Sequence, residues 1–530
     1  MNSLNFGKSV RYPISETCTY YKMVLLYLAV GVVLTTALAL YAYFTRTFNY
    51  WKSKNVVGPE PVAFFGNLKE STLRRKNIGV VFQEFYKQFP NEKVVGVYQM
   101  TTPCLLLRDL DIIKHIMIKD FDVFIERGIE FSKEGLGANL FHADADTWRS
   151  LRNRFTPLFT SGKLKNMLHL ITERADKFRD YVYHLCNDNP EQEIHSLFQM
   201  YTMGTISACA FGVDIDTLHD KLETFHEMDK LVLTPSYASE LDMMFPGILK
   251  WFNSSIFSVK IKDFFYDLVK SVISQRGGLP TKRNDFMDLI LELRQQGRIE
   301  TTKRHDETQK LILELSDDII AAQAFIFYVG GYETTATTVS FLLYQLAMNP
   351  DIQDKLLAEI DQSLEDNNGV VNYDTIQSMR YLDKVLNETL RMYPIVEPLK
   401  RIAKVDYKIP GTDVTIEKGT TVIVSPIGIH HDEKYYPNPH IFDPERFSPE
   451  NSGQRHPCAY IPFGTGPRNC IGMRFARLQG SVGLVKLLSK VRVEPSKNTP
   501  PIMEIEPKRV IVGPKNGIQL KLIPRKPVKS

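Results

Sequence analysis

Between Phe463 and Gly472 the chain reads Phe-Gly-Thr-Gly-Pro-Arg-Asn-Cys-Ile-Gly, a loop dense in glycine and proline that carries one cysteine to the start of an apolar-periodic stretch (Met473, Phe475, Ala476, Leu478). That placement predicts a helix beginning just after Cys470, whose free backbone N–H groups and positive dipole end would favour a thiolate. Gly466 and Gly472 permit backbone conformations closed to other residues, so the loop can approach a flat partner closely. Phe463 would screen the sulfur from water. Arg468, two residues before the cysteine, can make paired charge-assisted hydrogen bonds to a buried carboxylate. A chain that used this segment would place there a thiolate able to ligate a metal. The other five cysteines (Cys18, Cys104, Cys186, Cys209, Cys458) form no C-x-x-C pair and no zinc-type pattern with histidine, and read as free thiols of a reducing compartment.

With those residues in view, the segment resembles the F-x-x-G-x-R-x-C-x-G haem loop of the cytochrome P-450 superfamily, followed as expected there by Ala476. The resemblance extends from about Gly58 to the C-terminal region. It implies a mainly α fold with small β-sheets, haem b as cofactor, and Cys470 as the axial iron ligand. Phe463, Gly466 and Arg468 would belong to the cofactor site. Trp148 and Arg152, in a W-R-x-x-R segment, and Arg401 match positions that meet the propionates. Several cations suit a flat dianionic cofactor.

Three further motifs carry chemistry or structure. A long helix is expected from Ser316, with Asp317 and Asp318 in its first turn, to Asn349-Pro350. It is interrupted by Gly330-Gly331-Tyr332-Glu333-Thr334-Thr335. Two adjacent glycines cost roughly 1 to 2 kcal/mol of helix propensity, so something other than helix stability favours them. Thr334 can bond the Gly330 carbonyl and loosen the helix locally. The resemblance implies that Glu333 and Thr334 deliver protons for O–O cleavage. Glu388 and Arg391 share a helix face, and with Arg446 of Pro444-Glu445-Arg446-Phe447 they match a buried ion network whose role is structural.

Met23 to Phe44 carries no charged side chain and lies between Lys22 and Arg46. At about 1.5 Å per residue it could cross a hydrocarbon core of about 30 Å, which predicts one N-terminal transmembrane helix. The expected division is therefore residues 1–22 as an upstream extension from an alternative start, 23–44 as anchor, 45–61 as linker with a proline hinge, and 62–530 as the haem-thiolate catalytic domain. A start at Met23 would leave the basic excess after the span and the body in the cytosol. A net charge of +4 gives no clustered basic footprint of the kind that nucleic-acid binding requires.

Finer expectations follow. Val94 to Gln99 and Cys104 to Arg108 read as a hairpin. The polar stretch Gly297 to Lys310 reads as a surface loop, and Val510 to Val512 with Ile518 to Leu522 as a second hairpin about Asn516-Gly517. By resemblance, substrate would face Phe121 to Leu140, the region of Phe225 to Phe252, Ile395 to Leu399 and the final hairpin. Glu397 stands out there as an acid. Met243 to Leu249 is apolar enough to dip into a membrane surface, or to be a packed helix connection. Arg149, Arg154, Lys163, Lys165, Arg474 and Arg477 would face an acidic reductase. Details such as Arg149 to Arg152 leading to Phe159-Thr160-Ser161-Gly162-Lys163, and His430-His431-Asp432, resemble the insect microsomal branch. The expected activity is that of an NADPH-dependent monooxygenase of lipophilic compounds such as plant toxins and insecticides, in the endoplasmic reticulum membrane. Its expected partners are NADPH-cytochrome reductase, with cytochrome b5 as a further candidate, O2, a lipophilic substrate and membrane lipid. A peroxide isomerase or dehydratase, and a haem sensor or electron carrier, are the competing readings.

Overall fold

Where apolar residues recur at helical spacing the chain forms helices, and where short β-branched runs lie between turns it forms small sheets. The structure is a computed structural model that describes residues 14–128, 135–218, 231–234, 259–297, 299–303, 306–453 and 455–525. Helix α1 (Ile14–Thr45) stands apart from the body. Within its stretch Thr19–Thr45 the most apolar 18-residue window has a mean hydropathy of 2.4 and is not buried at all, so the helix is long and apolar enough to cross a membrane. The following residues are tied to the body rather than free: Thr47 Oγ1 donates to Thr101 O at 2.6 Å and Trp51 Nε1 to Val97 O at 3.1 Å. The expected linker is thus docked through its first half, because an indole packed and hydrogen-bonded at 2% exposure leaves little freedom.

The body holds helices α2 (Ile78–Gln88), α3 (Ala145–Phe155), α4 (Ser161–Asp188), α5 (Ile194–Ile206), α6 (Asp317–Gly331), α7 (Glu333–Met348), α8 (Pro350–Asp366), α9 (Arg380–Met392) and α10 (Met473–Leu488). Most of their apolar faces merge into one large core, and a second core lies around the largest sheet. That sheet contains β1 (Val94–Gln99) and β2 (Thr102–Leu107), the expected hairpin, with Met100 at φ 59° in its turn. Strand β3 (Glu191–Glu193) leads into α5. The stretch expected to be a loop at Gly297 to Lys310 instead contains β4 (Ile299–Lys303) paired with β5 (Asp306–Leu313). A two-stranded antiparallel ribbon exchanges hydrogen bonds within itself and needs no apolar periodicity to do so.

Strand β6 (Leu399–Ile402) and, beyond the short pair β7 (Tyr407–Lys408) and β8 (Thr415–Ile416), strand β9 (Thr421–Val424) complete the first sheet in the order β1-β2-β9-β6. The C-terminal hairpin is corrected by a longer-range pairing. Strand β11 (Gln519–Pro524) pairs with β10 (Val491–Pro495) and β3, not with Val510 to Val512. Asn516 and Gly517 do take left-handed backbone, at φ 63° and 73°, but the local antiparallel pairing joins Glu504 to Glu506 with Gly513 to Lys515, both before them in the chain, and closes a loop over residues 507–512. Val510 and Val512 instead donate to Leu233 O and Ile395 O.

The long helix is divided. Ser316 caps α6 by accepting from Ile319 N, and α6 ends at Gly331, where Tyr332 separates it from α7. Gly331 has a packing reason: a Cβ there would sit 2.6 Å from Ile206 Cδ1 on α5. Gly330 faces open space. The two glycines therefore do different things, one letting helices meet and the other keeping a face of α6 bare.

Candidate functional site

The cysteine loop is fixed before any cofactor is considered. Gly464 N donates to Ile461 O at 3.0 Å, Asn469 N to Gly466 O at 3.0 Å and Cys470 N to Phe463 O at 2.9 Å. Gly466 has φ 74°, and a Cβ on it would lie 1.9 Å from Met117 O, so no other residue fits without moving the backbone. Helix α10 begins at Met473, as the sequence pattern required. Burial pushes the Cys470 thiol up, opposed by backbone hydrogen bonds from Gly472 and Met473 and by the guanidinium groups of Arg152 and Arg127. The same residue is exposed by accessible surface. A side chain both desolvated and accessible lines an interior space, and a coordinating metal would deprotonate such a thiol outright.

Around it gather four arginines. Arg152, from α3, donates to Asn469 O and Oδ1, both at 2.8 Å, so it clamps the cysteine loop itself. Arg468 donates to Phe141 O at 3.3 Å and Ala143 O at 2.9 Å and lies 4.6 Å over the Trp148 ring. Arg401 donates from one terminal nitrogen to Lys400 O at 2.7 Å. Arg127, which sequence reasoning passed over, donates to Phe141 O at 3.1 Å and Arg468 O at 3.0 Å. An arginine two residues past the apolar Val123-Phe124-Ile125 run was the signal available. Among the described residues no carboxylate lies within ion-pair distance of any of the four. Desolvation, and in Arg127 and Arg468 also mutual repulsion, holds all four below the ordinary guanidinium range. The buried Nε atoms of Arg401 and Arg468 have no partner. This donor set, a thiol beside cations with no acid at ion-pair distance, fits an iron porphyrin with two carboxylates.

The structural trio is brought together as expected. Arg391 makes a two-pronged pair with Glu388 at 2.7 and 2.8 Å, and Arg446 Nε lies 3.4 Å from Glu388 Oε1. Arg391 also donates to His430 O and Pro439 O, both at 2.8 Å. His430 joins this network to the cysteine loop. Its Nε2 accepts from Ile461 N at 3.0 Å, which places its proton on Nδ1, 3.2 Å from Arg391 O. Burial depresses its pKa strongly, so the ring is neutral.

Glu333 and Thr334 are not brought together. Thr334 Oγ1 donates to Gly330 O at 2.6 Å, the expected local bond. Glu333 turns the other way and is fully buried. Its Oε1 accepts from His195 Nε2 at 3.0 Å, Thr337 Oγ1 at 3.1 Å and Arg509 at 3.0 Å, and its Oε2 from Gln199 Nε2 at 2.7 Å. Burial pushes the Glu333 pKa up, but His195 and Arg509 outweigh it and the net direction is down.

The structure also places several outer residues. Glu397 points to Ile427 N, which donates to it, and its other oxygen is buried without a partner. Arg149, Lys163, Lys165 and Arg477 are each paired with an acid of this chain, Asp122, Glu292, Asp374 and Asp383. Met243 to Leu249, and most of the region from Phe225 to Phe252, lie outside the described residues.

A cysteine in a glycine-rich loop just before a helix, with arginines that lack acid partners beside it, is the arrangement of the haem-thiolate class. A family model described as Cytochrome P450 matches residues 56–522. Cytochrome P450 6B2 of Helicoverpa armigera is 61% identical over 498 residues, covering 94% of this chain and 98% of that protein. Cytochrome P450 6B1 of Papilio polyxenes is 54% identical over 494 residues (93% and 99%), and cytochrome P450 6a2 of Drosophila melanogaster 36% over 512 (94% and 99%). The chain belongs to the cytochrome P450 family. It is a monooxygenase whose cofactor is haem with its iron, and it uses O2, a substrate and a redox partner.

Proposed function

We propose that this enzyme is anchored by α1 in the endoplasmic reticulum membrane with its body in the cytosol, takes electrons from NADPH through a flavoprotein reductase, and inserts one oxygen atom of O2 into lipophilic compounds such as plant toxins and insecticides. The observation that carries the cofactor part is the uncompensated arginine cluster beside Cys470. Support for the anchor is the 27-residue apolar span Thr19–Thr45, and support for the substrate class is the likeness to insect relatives of the same family.

Haem, when bound through a thiolate, supplies O2 activation with the thiolate's electron push toward O–O cleavage, the behaviour for which P450 haems are the reference case. The chain's own contribution is positional. Cys470 would ligate the iron, with its sulfur held by the loop bonds to Phe463 O and by the start of α10. Phe463 and Gly466 would pack the loop against the ring. Arg127, Arg401 and Arg468, with Trp148 backing the last, would take the propionates, while Arg152 holds the loop. Thr334 would present its hydroxyl at the opened turn and Glu333 would restore its proton, a role that requires the carboxylate to turn from its present partners.

Reconstitution with a reductase tests the reading. Substrate-dependent NADPH consumption with a product one oxygen heavier is expected. Turnover of a hydroperoxide without NADPH would favour the isomerase, and no substrate-dependent consumption at all would sink the monooxygenase assignment for that compound class.

A further inference from the structure

The Glu333 cluster joins three parts of the fold: α5, α7 and the C-terminal segment. His195 opens α5 and is held there by Glu193, whose carboxylate accepts from His195 N at 2.9 Å and Ser196 N at 2.7 Å. Gln199 lies one turn on. Arg509 comes from the C-terminal segment that also meets Ile395 through Val512 N and Asn77 through its own carbonyl, at 2.8 and 3.1 Å. Thr337 follows Glu333 by one turn of α7, so the carboxylate is drawn along that face and away from Thr334. His195 is the titratable member of this set: its side chain is 8% exposed and its Nε2 is the atom that bonds the acid.

We propose that His195 is a latch on Glu333: protonated, it holds the carboxylate on the α5 side of the split helix, and deprotonated, it lets Glu333 turn toward Thr334. The inference rests on the reading that Glu333 and Thr334 handle protons in the reaction. The step itself moves one proton. The imidazolium loses its Nδ1 proton to solvent base, and the neutral ring then donates from Nε2 to Oε1 without a charge, leaving Arg509 as the single cation on the acid. The charged groups facing His195 are Glu333 of α7, Glu193 of β3 and Arg509 of the C-terminal segment. Burial disfavours the imidazolium, but Glu333, by charge and by hydrogen bond, and Glu193 outweigh it while Arg509 opposes them, and the net direction of the His195 pKa is up. A raised folded-state pKa means that this contact stabilises the protein fully below about pH 6.5 and that the stabilisation is lost as pH rises through the folded value.

His195→Gln keeps a hydrogen-bond donor and removes the titration. In the haem-loaded, full-length enzyme two profiles are read. The melting temperature of the wild type should decline as pH rises from about 6.5, the decline should vanish in His195→Gln, and His195→Gln should change nothing further in a Glu333→Gln background. The rate of product formation should show an acid limb of about tenfold per pH unit in the wild type, and His195→Gln should be flat at the wild-type high-pH level. An unchanged limb together with an unchanged melting profile in His195→Gln overturns the latch. A Glu333→Gln enzyme that forms product at the wild-type rate overturns the proton reading instead, and the melting cycle still decides whether His195 holds the acid. If His195→Gln does not load haem, Arg509→Gln serves: removing the second cation should move the acid limb to higher pH by about one unit, and a limb that stays in place contradicts the proposal.

Discussion

Two groups of buried arginines flank the cysteine loop and are built on opposite terms. On one side Arg391, fully buried, is met by Glu388 and by two backbone carbonyls, with Arg446 completing the network. On the other, Arg127, Arg152, Arg401 and Arg468 meet carbonyls, an amide side chain and one another, but no acid among the described residues. Buried charge without a paired counter-ion is costly, and Glu126 and Asp144 offset it at Arg468 only from beyond ion-pair distance, so the second group is suited to an added anion. The first group is finished by folding. On the proposed reading the second is finished by the haem propionates, and that difference would separate architecture from function more clearly than proximity to Cys470 does.

The comparison can be broken most severely on the finished side. Glu388→Ala leaves Arg391 buried and unpaired and should cost about 3 to 5 kcal/mol, read as failure to accumulate folded protein or as a collapse of the denaturant midpoint. Loss of under about 1 kcal/mol would mean that the network is incidental. On the unfinished side, Arg468→Ala removes one charge-assisted partner of the cofactor. Haem transfer to an acceptor protein should speed up by about 10- to 100-fold, the equivalent of about 1.5 to 3 kcal/mol, with little change in the fold seen by circular dichroism. Arg127→Ala should act in the same direction, and a transfer rate equal to wild type would remove it from the site. The smallest effect belongs to Arg446, whose side chain is 12% exposed and 3.4 Å from Glu388. Arg446→Gln should lower stability by about 1 kcal/mol, sharpening the contrast between the core pair and its rim.

Local chemistry in the sequence revealed Cys470, Gly466 and the Ser316 cap, because each is set by neighbours within a few residues. The helix break at Tyr332 and the Thr334 bond to Gly330 were legible for the same reason. Arg127 was not, since nothing near it in the chain distinguishes a cofactor-facing arginine from a surface one, and only the approach of Arg468 and Phe141 gives it meaning. The direction of Glu333 was likewise hidden. It depends on His195 and Arg509, which are 138 and 176 residues away. The C-terminal pairing failed from the same cause: Asn516-Gly517 does turn the chain, but β10 and β3, both distant in sequence, claim the strand that follows. Gly297 to Lys310 failed because polarity was equated with a loop, whereas a ribbon can satisfy its backbone without an apolar face.

The central claim is that Cys470 delivers a thiolate to haem iron within a collar of arginines. Its most direct test is the ferrous carbon monoxide difference spectrum of the purified, haem-loaded protein, wild type against Cys470→Ser. The wild type should give the red-shifted band of a thiolate-ligated haem and the variant should lose it; a retained red-shifted band in Cys470→Ser would contradict the assignment.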